Sequence, residues 1–208
     1  MTIHVENLSK RYNREWIFKD VSFQFAASKP YAIVGPNGSG KSTLLQILWG
    51  QLLPSSGTLT YSVNNQVIPQ EHVFQHISIA TPYMELIEEF TTQEMINFHF
   101  QFKRSRNNLN AGELLEIFEL SHARNKLISN FSSGMRQRLK LGLAFYSDTS
   151  AVFLDEPTTN LDKKSVDWYL IQRDKLPQDV LVVIASNQEQ EYPANAEKLD
   201  ILRYKKGY

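Results

Sequence analysis

The residues GPNGSGKS (35–42) constrain the fold of this chain more than any other feature. They follow a short apolar run, YAIV (31–34), and open a segment with helix-period apolar residues, STLLQILWG (42–50). A glycine-rich turn between a buried strand and a helix directs backbone N–H groups at an anion, and the helix dipole adds to the attraction. The spacing G-x-x-x-x-G-K-[ST] in this context predicts a phosphate-binding loop. A glycine-rich turn that binds nothing is the alternative.

The polar residues of this loop have distinct expected roles. Lys41 is expected to reach the β- and γ-phosphates of a nucleotide, and Ser42 to offer its hydroxyl to Mg²⁺. Thr43 falls where the α-phosphate would lie. The predicted phosphate-binding set is Gly35, Pro36, Asn37, Gly38, Ser39, Gly40, Lys41, Ser42 and Thr43.

A second motif places Asp155 and Glu156 at the carboxyl end of an apolar run, AVFL (151–154). Open parallel sheets bind ligands at this end of their strands. Asp155 is expected to hold the Mg²⁺ of the nucleotide, usually through water, as the acidic partner of Ser42. Glu156 is expected to orient the attacking water or to accept its proton. A solvated acidic turn is the alternative.

The order of apolar patterns predicts an α/β fold. Strand patterns occur at 2–8, 21–25, 31–35, 151–156 and 180–186. Helical periodicity fills the stretch from Glu85 to Tyr146, where the first such pattern is MELIEEF (84–90). We therefore predict a single domain, with an α/β core and β subdomain at 1–84 and 148–208 and a helical subdomain at 85–147.

Composition limits the class of protein. The 22 basic and 22 acidic residues cancel, which argues against a nucleic-acid binder that works through bulk charge. Cysteine is absent, which excludes disulfides, thiolate metal ligands and a cysteine nucleophile. No stretch approaches the roughly 20 apolar residues that cross a bilayer. We expect a cytoplasmic chain that reaches a membrane only through a partner.

Three segments in this order, GPNGSGKST, FSSGMRQRLKLGLAF and FLDEPTTNLD, resemble the ATP-binding subunit of an ABC transporter. The resemblance covers essentially the whole chain. It implies a P-loop NTPase core of ABC type with an antiparallel β subdomain and a helical insertion, which binds ATP and Mg²⁺ and hydrolyses ATP. It also implies a dimer with a second copy or a homologous subunit, an integral membrane partner on the helical block, no nucleic-acid partner, and a peripheral position on the cytoplasmic face of the membrane.

FSSGM (131–135) takes the place of the L-S-G-G-Q signature of that family. Ser132 or Ser133 can cap the helix that follows and leave N–H groups facing an anion. The resemblance implies that this anion is the γ-phosphate bound to the other subunit, contacted by Ser132 and Gly134. A plain serine N-cap is the alternative.

Two further sites take their roles from the resemblance alone. Tyr12 falls where the family stacks an aromatic ring on adenine, a contact that needs no hydrogen bond. A surface aromatic is the alternative, and the nearby Trp16 is expected to pack with its strand. Asn160, Leu161 and Asp162 resemble the loop that spans the dimer.

Two positions depart from the family. Pro82 replaces a glutamine that contacts Mg²⁺ and the attacking water, and a proline side chain has no donor or acceptor. Asn187 replaces a histidine that contacts the γ-phosphate and helps organise the water. An asparagine amide can donate to a phosphate oxygen but carries no charge near neutral pH. Asn187 as a cap of the following turn is the alternative.

Glu156 and Asn187 are the predicted catalytic residues of an ATPase. The two departures leave open an ATP-gated regulatory or clamp protein with slow hydrolysis. A DNA-repair or chromosome-structuring ATPase fits less well, because such proteins interrupt the core with long coiled coils. Here only about 110 residues separate Lys41 from Asp155, without sustained heptads.

Overall fold

The computed structural model describes residues 1–205, which form two compact units. The core unit contains Met1–Ile77, Ser150–Glu156 and the chain from Pro177 onward. The helical unit contains Ser78–Thr149 and Pro157–Leu176. The predicted helical block, 85–147, falls within this second unit, which also takes in 157–176.

In the described part of the chain, the strands are β1 (Thr2–Tyr12), β2 (Glu15–Ala26), β3 (Tyr31–Val34), β4 (Ser56–Val63), β5 (Gln66–Ile68), β6 (Ile77–Ala80), β7 (Ala151–Asp155), β8 (Leu181–Ala185) and β9 (Glu197–Asp200). The α-helices are α1 (Lys41–Leu48), α2 (Thr92–Phe102), α3 (Ala111–Ile117), α4 (Ser133–Tyr146) and α5 (Lys163–Asp174). Short 3-10 turns lie at Gln70–Gln75, Arg106–Asn108, Ser121–Ala123, Ile128–Asn130, Glu189–Glu191 and Ile201–Tyr204.

An antiparallel sheet in the core unit has the strand order β2-β1-β4-β5. Ile3 and Val5 are buried while His4 is exposed, so one face of β1 is exposed to solvent, as its alternating pattern predicts. Trp16 lies on the exposed face of β2 and packs along its own strand, where the ammonium of Lys19 lies 4.5 Å from the ring centroid.

A parallel sheet runs through the same unit in the order β7-β8-β3-β9. Strands β7 and β8 are buried along their whole length, as expected for parallel strands covered on both faces. In the register, Asp155 pairs with Ala185, and Ile33 pairs with Ala185 on the other side. The chain therefore leaves β3, β7 and β8 at one edge, which is where the sequence motifs lie.

The helical unit is organised around α4. Its second half, from Gln137 to Phe145, is buried. The ring of Phe145 packs 6.4 Å from Trp168 and 5.9 Å from Tyr169 of α5. Capping boxes begin α2 at Thr91 and α3 at Asn110, so these helix starts follow from local sequence.

The helical pattern at 84–90 does not form a helix, and this prediction is wrong. The carbonyl of Glu88 accepts the N–H of Ser129 at 3.0 Å, and the carbonyl of Phe90 accepts the N–H of Ile128 at 2.9 Å. These carbonyls therefore pair with a distant segment instead of with N–H groups four residues later. Tertiary pairing overrides the local apolar pattern.

Candidate nucleotide-binding site

The loop between β3 and α1 has a backbone that glycine makes possible. Gly40 has φ 105° at the start of α1, and a Cβ there would lie 2.5 Å from Cγ2 of Ile17. Both the left-handed conformation and the close approach exclude a side chain. At Gly38, with φ 75°, a Cβ would meet nothing within 4 Å, so the space beside the loop is open.

The side chains of this loop fit an anion. The hydroxyl of Ser39 is buried and has no hydrogen-bond partner among the described residues. Lys41 is only 4% exposed, and its ammonium lies 3.3 Å from the carbonyl oxygen of Pro36 and 4.0 Å from a carboxylate oxygen of Glu156. A buried cation and a buried unpaired hydroxyl both gain from an acceptor such as a phosphate oxygen.

Ser42 and Asp155 meet across the edge of the sheet. The hydroxyl of Ser42 donates to Oδ1 of Asp155 at 3.0 Å. Burial raises the pKa of Asp155 to about 6, with a smaller rise from Glu156, while the Ser42 hydrogen bond lowers it. A hydroxyl and a buried carboxylate are the oxygen ligands that Mg²⁺ prefers, so these two residues fit the predicted metal site. No group of three or more His, Asp or Glu side chains suited to a metal occurs within residues 1–205. An Mg²⁺ here would therefore also need phosphate or water oxygens.

Glu156 follows β7 in a strained backbone conformation. Its φ is 42°, in the left-handed region that non-glycine residues rarely adopt. Its N–H donates to the carbonyl of Ala185 at 2.9 Å, which fixes this conformation against β8. Such strain costs about 1–3 kcal/mol and is concentrated at functional sites. The carboxylate is 35% exposed, so water can reach it.

Asn187 faces the phosphate-binding loop. Its side-chain Nδ2 donates to Oδ1 of Asn37 at 3.0 Å. The turn that follows is capped by Ser186, whose hydroxyl oxygen accepts the N–H of Gln188 at 2.8 Å. The cap that was the alternative role for Asn187 is thus supplied by its neighbour.

Tyr12 ends β1 with an exposed ring. It is 47% exposed, and the ammonium of Lys10 lies 5.0 Å from the ring centroid. A ring at a strand end with an accessible face is able to stack on a planar base. Its contact with adenine stays a prediction.

The signature residues lie in the helical unit. Ser132 caps α4, because its hydroxyl oxygen accepts the N–H of Met135 at 3.2 Å. A Cβ on Gly134 would lie 3.1 Å from the carbonyl oxygen of Asn160, so the small residue lets the two segments approach. Ser132, Gly134, Asn160 and Asp162 line one pocket of about 460 Å³. The sequence placed these residues in two separate motifs, and the structure brings them together.

Sequence reasoning missed Glu119 beside this pocket. Its carboxylate lies 2.6 Å from the guanidinium of Arg138 in α4 and 3.3 Å from the ammonium of Lys164 in α5. The Arg138 hydrogen bond, followed by that of Lys164, lowers the pKa of Glu119 against the effect of burial. Glu119 follows α3 with φ 55°, in the left-handed conformation where glycine is usual after a helix, and the local sequence gives no signal of its contacts with α4 and α5.

Fold and site together define a P-loop nucleotide-binding cassette. The family model described as "ABC transporter" matches residues 18–159, which is more than half of the chain. The chain therefore belongs to the ABC transporter family, among its ATP-binding subunits.

Individual relatives agree with this assignment. The chain is 32% identical over 168 residues to the Nod factor export ATP-binding protein I of Burkholderia orbicola, an alignment that covers 78% of this chain and 55% of that protein. It thus spans about half the length of this relative. It is 28% identical over 191 residues to the cytochrome c biogenesis ATP-binding export protein CcmA of Brucella abortus, covering 90% and 86%. A putative ABC transporter ATP-binding protein from Pyrococcus furiosus shares the fold, with a TM-score of 0.80 at 18% identity and coverage of 98% and 99%.

Proposed function

We propose that this chain binds and hydrolyses ATP as a subunit of an ABC transporter. The observation that carries the proposal is the meeting of Lys41, Ser42, Asp155 and Glu156 at one edge of the parallel sheet. Family membership supports it, because ATP-binding cassettes of this family are ATPases that drive transport.

Each residue has a role in the proposed reaction. Lys41 binds the β- and γ-phosphates and neutralises part of their charge. Ser42 and Asp155 would hold Mg²⁺, which would further neutralise the charge of the phosphate oxygens. Glu156 orients the attacking water and takes its proton. Asn187 exchanges its bond to Asn37 for one to a γ-phosphate oxygen.

The site is completed by a second copy of the chain or by a homologous subunit. Ser132 and Gly134, at the N-terminal end of α4, donate to the γ-phosphate held by that partner. Two ATP molecules are then enclosed, each between the phosphate loop of one subunit and the signature of the other. Tyr12 stacks on the adenine of the ATP in its own subunit.

A separate membrane subunit completes the transporter. Among residues 1–205, no helix has both the length and the hydropathy needed to span a bilayer. The proposed partner is an integral membrane protein that docks on the helical unit and holds the chain at the cytoplasmic face. Because two relatives carry the word "export" in their names, we favour an export system.

Phosphate release from Mg·ATP by the purified chain tests the proposal. The matched control is Glu156→Gln, which keeps the shape of the side chain but cannot accept a proton. We expect the wild type to exceed this variant by at least about 100-fold, the usual contribution of a general base. A wild-type rate equal to that of Glu156→Gln overturns the proposal that the chain is an ATPase. It would favour the alternative, an ATP-gated regulatory or clamp protein with slow hydrolysis.

A further inference from the structure

Lys140 is a buried lysine in the middle of α4 that donates to backbone carbonyls. It is 8% exposed, and its ammonium lies 2.9 Å from the carbonyl oxygen of Pro82 and 3.4 Å from that of Thr81. Burial and then the nearby Arg136 lower the pKa of Lys140, while Glu85 raises it. Because a buried ammonium is unfavourable without hydrogen bonds, its position depends on these two carbonyls.

Arg136 lies one turn earlier on the same face of α4 and holds the other end of the same segment. Its guanidinium lies 3.2 Å from the carboxylate of Glu88 and donates to the carbonyl of Ser129 at 3.0 Å. The segment 81–88 is therefore attached to α4 at its start through Lys140 and at its end through Arg136. Between the two attachments lies a pocket of about 950 Å³.

At Pro82, the backbone carbonyl is the only polar group that α4 can contact. Its side chain offers no donor or acceptor, but its carbonyl oxygen is available. A lysine reaches that oxygen from α4, which is the helix that Ser132 caps. Lys140 follows Ser132 by eight residues, which is about 12 Å along the helix axis.

We propose that Lys140 is a positioning residue that fixes the Thr81–Pro82 backbone to α4, so that the Ser132–Gly134 end of the helix moves together with segment 81–88. Lys140 itself touches no nucleotide and acts through the helix. The inference rests on the proposed function, which assigns Ser132 and Gly134 to the nucleotide of the second copy.

Three variants test this role. Lys140→Met keeps an unbranched side chain of nearly the same length but removes its donors, and Lys140→Arg keeps both charge and donors. Lys175→Met changes an exposed lysine of the same unit and is the control. In steady-state ATP hydrolysis, we expect Lys140→Met to lower kcat about tenfold with an unchanged KM for ATP, the loss expected for a charge-assisted hydrogen bond. Lys140→Arg restores most of kcat, and Lys175→Met retains it.

Thermal unfolding and hydrogen exchange separate positioning from stability. Lys140→Met loses the hydrogen bond to the Pro82 carbonyl but no longer buries a charge, so we expect Tm to fall by no more than about 4 °C. Amide exchange over 81–88 increases in this variant. If Lys140→Met does not fold, Lys140→Gln, which is shorter and uncharged but keeps an amide NH₂ group, takes its place in both measurements.

Wild-type kcat together with wild-type exchange in Lys140→Met overturns the proposal. A fall in kcat that matches a fall in Tm, without rescue by Lys140→Arg, overturns it as well, because Lys140 is then only structural. A wild-type chain that hydrolyses no faster than Glu156→Gln contradicts the proposed function instead. In that case, exchange over 81–88 alone decides whether Lys140 holds the segment.

Discussion

The side-chain amide of Asn187 donates a hydrogen bond to Oδ1 of Asn37, 3.0 Å away, and so connects the end of β8 to the phosphate-binding loop. An asparagine therefore stands beside the loop at the position where the resemblance expects a histidine. The same amide that bonds to Asn37 is the group available for a phosphate oxygen.

Asn187→His is expected to raise kcat for ATP hydrolysis near pH 7. An imidazole can both donate to the γ-phosphate and carry a proton, and such groups contribute about 100-fold or more in enzymes. The measurement is phosphate release at saturating Mg·ATP, with Asn187→Ala as the control for loss of the Asn37 bond. No gain in Asn187→His over the wild type contradicts the expectation and indicates a site rearranged around the asparagine.

Lys41→Ala is expected to abolish ATP-dependent dimerisation. Loss of this buried ammonium removes the main positive charge facing the phosphates, so ATP binds too weakly to join two subunits. Size-exclusion chromatography with and without Mg·ATP measures the effect. Lys29→Ala is the control, since Lys29 is an exposed lysine of the core unit paired with Glu197. An ATP-induced dimer of Lys41→Ala would refute the role.

Asp155→Asn is expected to stabilise the nucleotide-free chain at pH 7.5. Because burial raises the pKa of Asp155 to about 6, folding favours its protonated form. This contribution to stability is present below the unfolded pKa, near 3.8, and is lost as the pH rises to about 6. The neutral amide avoids a cost of roughly 2–3 kcal/mol at pH 7.5 and has no such advantage at pH 4.

Urea unfolding at the two pH values measures this difference. Mg²⁺ with ATP is expected to reverse the order at pH 7.5, because the wild type gains stability from the bound cation and the variant gains less. Equal free energies of unfolding for the wild type and Asp155→Asn at pH 7.5 without nucleotide would show that the buried Asp155 carboxylate does not destabilise the fold.

Tyr12→Ala is expected to raise the Kd for ATP about tenfold, since stacking on a base contributes roughly 1–3 kcal/mol. Trp16→Ala is the matched control, as it removes another exposed aromatic ring of the same hairpin. Titration with a fluorescent ATP analogue gives both affinities. A larger loss of ATP affinity in Trp16→Ala than in Tyr12→Ala would indicate that the adenine stacks on Trp16 and not on Tyr12.

The sequence allowed much of the core unit to be predicted, because its elements are defined locally. Apolar runs of four or five residues specify β3, β7 and β8, and parallel pairing brings their ends together. The segment 84–90 was mispredicted, because its carbonyls pair with residues far away in the sequence. The contacts of Lys140 and Glu119 could not be predicted for the same reason, since each joins elements separated by many residues.

The mass of the Glu156→Gln variant in Mg·ATP tests most directly the claim that two subunits close around two ATP molecules. This variant binds ATP but does not hydrolyse it, so the closed state accumulates. Light scattering is predicted to show twice the 24.0 kDa mass of one chain, with one ATP bound per chain. A monomer that has ATP bound at saturating Mg·ATP would contradict the account.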